Sequence, residues 1–186
     1  MTNHQAQAGE RRPVWSLPAR ILGVDAALRC TGYGLCEILA GGELRVLDCG
    51  VIRTSREQRL SDCLRRLRGG IQQLLEAGKP TAAALEGGFF HRNAKTAMVL
   101  GAARGVVLAT IAEHGVPIYE YAPRQVKQAI CGYGNAAKTQ VALMVAQRLG
   151  LAIGQIDDDA TDALAVALCH FGVAGTQDGL FLPEPS

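Results

Sequence analysis

The chain is sparing with aromatic residues, with lysine and with long apolar runs. Aromatic side chains make up 5% of the 186 residues, and only four of the 19 basic residues are lysines. Charge or glycine interrupts every apolar run before it reaches the length of about 20 residues that a membrane span needs. Residues 1–10 are polar and contain no apolar stretch of the kind that forms a secretory signal. These absences predict a cytoplasmic protein with no membrane partner.

The six cysteines lack the spacing of a structural metal site. They form no Cys-x-x-Cys pair and no clustered Cys/His pattern, which excludes the common zinc-binding arrangements. Without a secretory signal we expect reduced thiols rather than disulfides. Most of the cysteines lie in apolar stretches, where a thiol packs as a small hydrophobic group.

The composition that remains is typical of one folded domain. Hydrophobic residues make up 48% of the chain and charged residues 19%, so a core can form and global disorder is excluded. Residues 20–172 carry the periodic segments and are predicted to form a single α/β domain. Residues 1–19 and 173–186 lack periodicity and are predicted to be a flexible N-terminal extension and a C-terminal tail.

Hydrophobic periodicity predicts elements in the order β-β-β-α-β-α-β-α-α-α. Three hairpin-connected strands followed by strands that alternate with helices indicate a five-stranded mixed sheet, three antiparallel strands and then two parallel ones, flanked by helices. Ser55 is the predicted N-cap of the first helix. The predicted strands are Arg20–Asp25, Thr31–Ile38, Leu44–Arg53, Thr81–Glu86 and Val116–Tyr121, and the helices are Leu60–Leu75, Ala94–His114, Pro123–Ile130, Lys138–Leu149 and Asp159–Phe171.

Four carboxylates occupy special positions in this pattern. Asp25 ends the first strand, Glu86 ends the fourth, and Asp159 and Asp162 share one face of the last helix at its first turn. If the two strands are neighbours, all four acids meet at one edge of the sheet. Carboxylates so close repel one another and need cations, and an all-oxygen ligand set selects Mg²⁺ or Mn²⁺. Two such ions about 3.5–4 Å apart promote phosphodiester hydrolysis.

Ordinary structural roles compete with that interpretation. A strand-terminal acid often caps a loop or faces solvent, and acids at a helix start interact with its dipole, as we expect for Asp157 and Asp158. His170, near the end of the last helix, is interpreted as a partner of the C-terminal dipole. The joint pattern of four acids, rather than any one of them, favours the metal site.

Two loops carry residues suited to nucleic acid. Phe89 and Arg92 lie in the glycine-containing loop after the fourth strand, where an aromatic ring can stack on an unpaired base. Arg124, Lys127 and Lys138 flank a second glycine-bearing loop, and Lys138 opens a helix, a poor place for a cation unless an anion binds there. These residues are predicted DNA contacts, with core packing of the ring and solvated surface charge as the alternatives.

The net charge of +2 understates how basic the surface is. Residues 20–172 hold 17 basic and 14 acidic side chains, and setting aside the four special acids leaves 17 against 10. Fifteen of the basic residues in the chain are arginines, which suit bidentate phosphate contacts. The sequence therefore predicts a basic surface around a small acidic pocket.

These motifs resemble the RuvC-type Holliday-junction resolvases of the RNase H-like superfamily. The resemblance covers about residues 20–171 and rests on ordered matches along the chain. They are Ile-Leu-Gly-Val-Asp25, Thr31-Gly-Tyr-Gly34, Gly50-Val-Ile-Arg-Thr54, Leu85-Glu86, Phe89, Asn93-Ala94, Leu100-Gly-Ala-Ala-Arg-Gly105, Tyr119-Glu-Tyr-Ala122, Arg124-Gln-Val-Lys-Gln128, Lys138-Thr-Gln-Val141 and Asp159-Ala-Thr-Asp-Ala-Leu-Ala165.

The resemblance implies a homodimeric, Mg²⁺-dependent endonuclease that nicks two opposed strands of a four-way DNA junction during recombination and repair. It implies that the four acids are the catalytic residues and bind two Mg²⁺ ions per active site, with Mn²⁺ as a substitute. Phe89 is the implied junction-probing aromatic, and Lys127 and Lys138 are the implied basic DNA contacts. A branch-migration helicase complex is a further implied partner.

The chain departs from the family pattern in three places, one of which is the additional lead of 19 residues, and other interpretations stay open. Ala26-Ala27 replaces the usual Pro-Gly, and Gly87-Gly88 replaces a polar residue after the Glu, although neither change removes a carboxylate. An ATP-handling protein of the sugar-kinase and actin superfamily shares the first strand motif but needs two lobes. A YqgF-type nuclease and a junction-binding protein with weakened catalysis are the remaining alternatives.

Symmetry predicts a dimer. Two nicks related by a two-fold axis need two active sites related by the same axis. The predicted helix Ala94–His114 is apolar over much of its circumference, and we expect it to form part of the interface. Burial of this helix against the sheet alone is the alternative.

Overall fold

A mixed sheet of five strands, in the order β3-β2-β1-β4-β5, organises the molecule. This computed structural model describes residues 19–87, 93–152 and 154–175. The strands are β1 Ala19–Asp25, β2 Cys30–Ile38, β3 Leu44–Arg53, β4 Ala82–Glu86 and β5 Ile118–Tyr121. The helices are α1 Leu60–Gly78, α2 Ala94–Glu113, α3 Pro123–Cys131, α4 Lys138–Leu149 and α5 Asp158–Gly175.

The strand pairing confirms the predicted mixed sheet. β1 and β3 pair with β2 in antiparallel fashion, whereas β4 pairs in parallel with both β1 and β5. The element bounds agree with the predicted ones to within a few residues, and α5 extends to Gly175. The predicted N-cap of α1 is wrong, because Arg59 holds that position. Ser55 instead belongs to a turn before the helix, in which its backbone N–H donates to Gln58 Oε1.

Two apolar cores lie on opposite faces of the sheet. On one face α1 and α2 pack, and α1 contributes Cys63, Leu67, Ile71 and Leu75, which recur every fourth residue and so form one helical stripe. On the other face α3, α4 and α5 pack. Strands β1 and β4 are buried on both faces of the sheet. This burial explains why β4 consists of small apolar residues up to Glu86.

Helix α5 lies unusually close to the backbone of β1 and β2. A Cβ atom placed on Gly23 would lie 2.1 Å from the Ala163 carbonyl oxygen, and one on Gly32 would lie 1.8 Å from the Asp159 carbonyl oxygen. Only glycine permits this approach, because any side chain would push the helix outward. The distance between the sheet and the first turn of α5 is therefore set by backbone contact.

Helix α2 is apolar over much of its circumference, with Lys95, Arg104 and Glu113 as its charged residues. It is 20 residues long, and an 18-residue window within it has a mean hydropathy of 1.4, which is the length and composition of a membrane-spanning helix; 22% of that window is buried in the protein. Gly101, Arg104 and Gly105 still interrupt the apolar run within this helix. Met98 on this helix is 76% exposed, so α2 presents apolar surface outward.

His170 is buried in the core, and its predicted interaction with the helix dipole is wrong. Its Nδ1 lies 2.6 Å from the Tyr121 hydroxyl, and its ring stacks on Tyr119 with centroids 4.5 Å apart. Burial lowers the pKa of His170 to about 4, so the ring is neutral at physiological pH. All six cysteines are free thiols, as expected.

Candidate active site

Two of the predicted acids leave the sheet side by side. The parallel register of β1 and β4 places Val24 opposite Leu85. Asp25 and Glu86 are the next residues, and each ends its strand. Because parallel strands bring their carboxyl ends to one edge, both carboxylates emerge at the same edge of the sheet.

The first turn of α5 adds the other two acids to this edge. Gly32 is the β2 partner of Asp25 and is also the residue against which the Asp159 backbone packs. Carboxylate oxygens of Asp25, Asp159 and Asp162 all lie within 4.8 Å of one another. These three side chains are partly buried rather than fully exposed. Such a cluster is dense enough to hold a cation between its members.

Glu86 lies at the rim of this cluster. With Asp162 it lines a cavity of about 260 Å³, whose other polar residues are Lys127 and Lys138. Burial raises the pKa of Glu86, and Asp162 raises it further, while Lys127, Lys138 and Arg104 lower it. Glu86 thus shares its electrostatic environment with the α5 acids and with both lysines.

The electrostatics of the cluster favour bound cations. Burial raises the pKa of Asp25 to about 7, and repulsion from Asp162, Glu86 and Asp159 contributes to that shift. Four carboxylates without a compensating charge are unfavourable in such a site. Oxygen-only donors of this kind match hard divalent ions, so the residues present fit a Mg²⁺ or Mn²⁺ centre.

Lys138 supplies part of that compensation within the protein. Its Nζ lies 2.8 Å from Asp162 Oδ2. The hydrogen bond to Asp162 is the main reason that the pKa of Lys138 is raised, and partial burial opposes the shift. The position had suggested an anion at the start of α4, and the structure shows that this anion is a carboxylate of the protein.

The remaining predicted DNA contacts are Arg124, Phe89 and Arg92, and of these the structure describes Arg124. Arg124 is exposed at the start of α3 and packs over Gly134, where an added Cβ would lie 2.4 Å from its Cγ. Arg124 lines a separate groove with Gln125 and Gln128, apart from the acids. Phe89 and Arg92 lie outside the residues that the structure describes.

The acid before α5 has a structural partner that sequence reasoning missed. Asp157 Oδ1 lies 2.5 Å from Arg53 Nη2, so the end of β3 is tied to the start of α5. The carbonyl oxygen of Asp157 accepts hydrogen bonds from the backbone and hydroxyl of Thr161. Asp157 thus anchors the turn that carries the site acids.

Sequence reasoning also missed an ion pair beside Glu86. Arg104 of α2 and Glu120 of β5 are joined by a contact of 2.6 Å between Nη2 and Oε2. The same guanidinium donates from Nη1 to the Glu86 carbonyl oxygen at 2.6 Å. The available signal was one arginine in an otherwise apolar stretch of helix, although nothing in the sequence identifies its partners.

Comparison with known proteins points to one family. The profile of the family described as "Crossover junction endodeoxyribonuclease RuvC" matches residues 21–170. A curated protein of that name from Caldicellulosiruptor saccharolyticus is 44% identical over 151 residues, which cover 81% of this chain and 91% of the relative.

Solved structures agree with the sequence matches. The Thermus thermophilus RuvC structure has a TM-score of 0.79 at 35% identity and covers 90% of this chain and 99% of its own. T. thermophilus RuvC in complex with a Holliday junction substrate has a TM-score of 0.76 at 37% identity, with 82% and 92% covered. A likeness in fold alone extends to the yeast mitochondrial Holliday junction resolvase Ydc2, with a TM-score of 0.60 at 12% identity over 83% and 78%.

Proposed function

This chain belongs to the RuvC family of crossover junction endodeoxyribonucleases and has the RNase H-like fold, and on that premise we propose that it nicks two opposed strands of four-way DNA junctions by metal-assisted hydrolysis. The observation that carries the proposal is the cluster of Asp25, Asp159 and Asp162, with carboxylate oxygens within 4.8 Å of one another. Membership of this family argues against the two other protein classes considered, the sugar-kinase and actin superfamily and the YqgF-type nucleases. A junction-binding protein with weakened catalysis remains the rival, and the intact acids argue against it.

The four acids are proposed to hold the metal. Asp25, Asp159 and Asp162 would form the centre of the site, with Glu86 at its rim, and together they would bind two Mg²⁺ ions or Mn²⁺ in their place. Divalent ions held by these acids would supply activation of water for attack on the phosphodiester and stabilisation of the charge on the leaving oxygen. The residues of the chain supply a fixed frame, because two acids end strands and two begin a helix.

Basic residues around the acids are proposed to orient the DNA. Lys127 and Lys138 line the same cavity as Glu86 and Asp162, so a phosphate at the acids would lie beside two ammonium groups. Arg124 is a proposed contact farther from the acids, and Phe89 and Arg92, which follow Glu86 in the sequence, are further proposed contacts. For Phe89→Ala we expect weaker cleavage with nearly normal junction binding, measured by junction cutting and by gel shift.

A symmetric pair of subunits is proposed to place the two active sites. Helix α2 offers the apolar surface for it, since Met98 is 76% exposed and Ala97 and Gly101 are exposed beside it. The isologous contact of a two-fold dimer would bury this surface in both copies at once. We further propose a cytoplasmic location and a branch-migration helicase complex as partner.

The test uses a labelled four-way junction with Mg²⁺, comparing wild type with Asp25→Asn. Wild type should cut two opposed strands, and Asp25→Asn, which removes one charge at nearly constant size, should bind the junction without cutting it. Equal cutting by both proteins would refute the role of the acids. Junction binding without any cutting by wild type would favour the rival, a binding protein without catalysis.

A further inference from the structure

The guanidinium of Arg104 connects three elements behind the acidic cluster. From α2 it donates through Nη1 to the carbonyl oxygen of Glu86 at the end of β4, at 2.6 Å. Through Nη2 it contacts Glu120 Oε2 on β5, also at 2.6 Å. The Arg104 side chain is only 15% exposed and that of Glu120 34%. Both are therefore placed for a contact inside the protein rather than for solvent.

The same contacts define how the chain leaves β4. Glu86 pairs with Tyr121 in the last step of the β4–β5 register, and the N–H of Gly87 donates to the Tyr121 carbonyl at 2.8 Å. A Cβ atom on Gly87 would lie 3.2 Å from Glu120 Oε2, so the carboxylate packs directly on this glycine. The peptide group that follows Glu86 is held by β5 on one side and by the Arg104–Glu120 pair on the other.

The position of the Glu86 backbone determines the direction of its carboxylate. Contacts that fix this backbone therefore also orient the side chain. Charge-assisted hydrogen bonds are the strong ones, and the planar guanidinium can serve two acceptors in fixed directions. Groups that do not touch a metal but orient its ligands commonly determine how well a site binds. Arg104 orients a proposed metal ligand in this way, because it holds the backbone of Glu86.

We propose that Arg104 and Glu120 are positioning residues, which fix the direction in which Glu86 projects toward Asp25 and Asp162. Because Arg104 belongs to α2, they also connect the exposed apolar helix to the metal pocket. The inference rests on the proposed function of that pocket as a metal-dependent nuclease centre. It predicts a defect in cation use rather than a general loss of folding.

The experiment compares Arg104→Lys and Glu120→Gln with wild type. Glu120→Gln keeps the size of the side chain, and Arg104→Lys keeps the charge but loses the two-acceptor geometry. The control is Glu113→Gln, because Glu113 forms another ion pair of α2, with Arg68 at 3.1 Å, that is more than half exposed. Three quantities are measured: Mn²⁺ binding without DNA by electron paramagnetic resonance, the Mg²⁺ midpoint of junction cleavage, and the Tm.

We expect both variants to weaken Mn²⁺ binding and to raise the Mg²⁺ midpoint by about 10-fold to 100-fold. Excess Mg²⁺ should restore most of the cutting, and Glu113→Gln should match wild type. A lower Tm with unchanged Mn²⁺ binding and an unchanged midpoint would overturn the inference, because the pair would then serve folding only. If Arg104→Lys fails to fold, Glu120→Gln decides by the same criterion. A wild-type protein that neither binds Mn²⁺ nor cuts the junction would overturn the proposed function and this inference together.

Discussion

The ammonium of Lys138 lies 2.8 Å from Asp162 Oδ2, so the acidic pocket carries a counter-charge of its own. Lys138 opens α4, where the helix dipole disfavours a cation, and Asp162 offsets that cost. The same lysine offsets part of the rise in the pKa values of Asp25 and Glu86 that burial and the neighbouring acids cause. Lys138 therefore has two competing roles, as a partner of the acids and as a contact for phosphate.

Replacing Lys138 by Met should separate these two roles. Without the competing ammonium, Mg²⁺ should bind the DNA-free protein more tightly, because Lys138 no longer repels the cation or occupies Asp162. Junction binding should weaken. The slope of log binding constant against log salt concentration should become about one unit less steep. Titration calorimetry measures the first effect, and fluorescence anisotropy at several salt concentrations measures the second.

Arg45→Met is the matched control for that charge change. Arg45 pairs with Glu37 at 2.6 Å and lies at the start of β3, at the opposite end of the sheet from Asp25. It should leave both Mg²⁺ affinity and salt slope close to wild type. The same salt slope for Lys138→Met and wild type would show that Lys138 does not contact phosphate.

Gly32→Ala should damage stability and cutting together. The added methyl group would lie 1.8 Å from the Asp159 carbonyl oxygen, so α5 must move away from β2. Forcing extra atoms into a packed contact costs about 1–3 kcal/mol of unfolding free energy. A shift of about 1 Å in Asp159 would lower the cleavage rate by about 100-fold. Urea unfolding and single-turnover cleavage measure the two effects.

Gly69→Ala controls for the loss of a glycine. Gly69 lies inside α1, and among the described residues nothing beyond its chain neighbours and the local helix backbone lies within 4 Å of an added Cβ. Alanine should stabilise this helix by about 0.5–1 kcal/mol and leave cleavage unchanged. Wild-type cutting by Gly32→Ala would mean that α5 can be displaced without moving its acids.

Acid should destabilise the fold through His170. The unfolded chain protonates this residue near pH 6.5, whereas burial lowers the pKa in the folded state to about 4. The unfolded state therefore binds more protons between those values, and the unfolding free energy falls as pH drops through that window, by up to about 3 kcal/mol. Above pH 6.5 the contribution is complete and constant.

His170→Asn tests this assignment. Asparagine retains a polar atom for the Tyr121 hydroxyl but does not titrate. We expect lower stability at pH 7, because the stacking on Tyr119 is lost, together with a shallower decline between pH 6.5 and 4 than in wild type. Urea unfolding at half-unit pH steps gives both curves, and parallel curves would show that another group causes the acid sensitivity.

Met98→Glu should break the proposed dimer. A charge placed on the apolar face of α2 would be buried without a partner in a symmetric contact, and we expect at least about tenfold weaker association, equivalent to about 1.4 kcal/mol. Sedimentation velocity at micromolar concentration measures it. The control is Leu143→Glu on α4, where Leu143 is 49% exposed and should leave the dimer intact. A dimer that tolerates Met98→Glu would place the interface elsewhere.

The sequence predicted the fold well where local pattern and strand geometry decide the outcome. A carboxylate ending each of two buried strands was enough to expect Asp25 and Glu86 at one edge if the two strands are neighbours, and the parallel pairing of β1 with β4 meets that condition. The spacing of Asp159 and Asp162 on a helix was equally local.

Contacts between distant elements could not be predicted in the same way. Arg104 meets Glu86 and Glu120 only after α2 and two strands have packed, and a single arginine in an apolar helix does not reveal its acceptors. His170 lies in a helix that is buried on every side from residue 163 to residue 170, so its position near a helix end said nothing about its surroundings. Ser55 was misassigned because a short turn separates it from the helix.

Helix α5 is the last element along the described chain, and it brings Asp159 and Asp162. A growing polypeptide folds from its N-terminal part as it leaves the ribosome, so β1 and β4 have been synthesised before the other two acids exist. A chain interrupted before residue 159 would carry Asp25 and Glu86 but no complete cluster. On the proposed role of these acids, the order of synthesis would withhold hydrolytic capacity from unfinished chains.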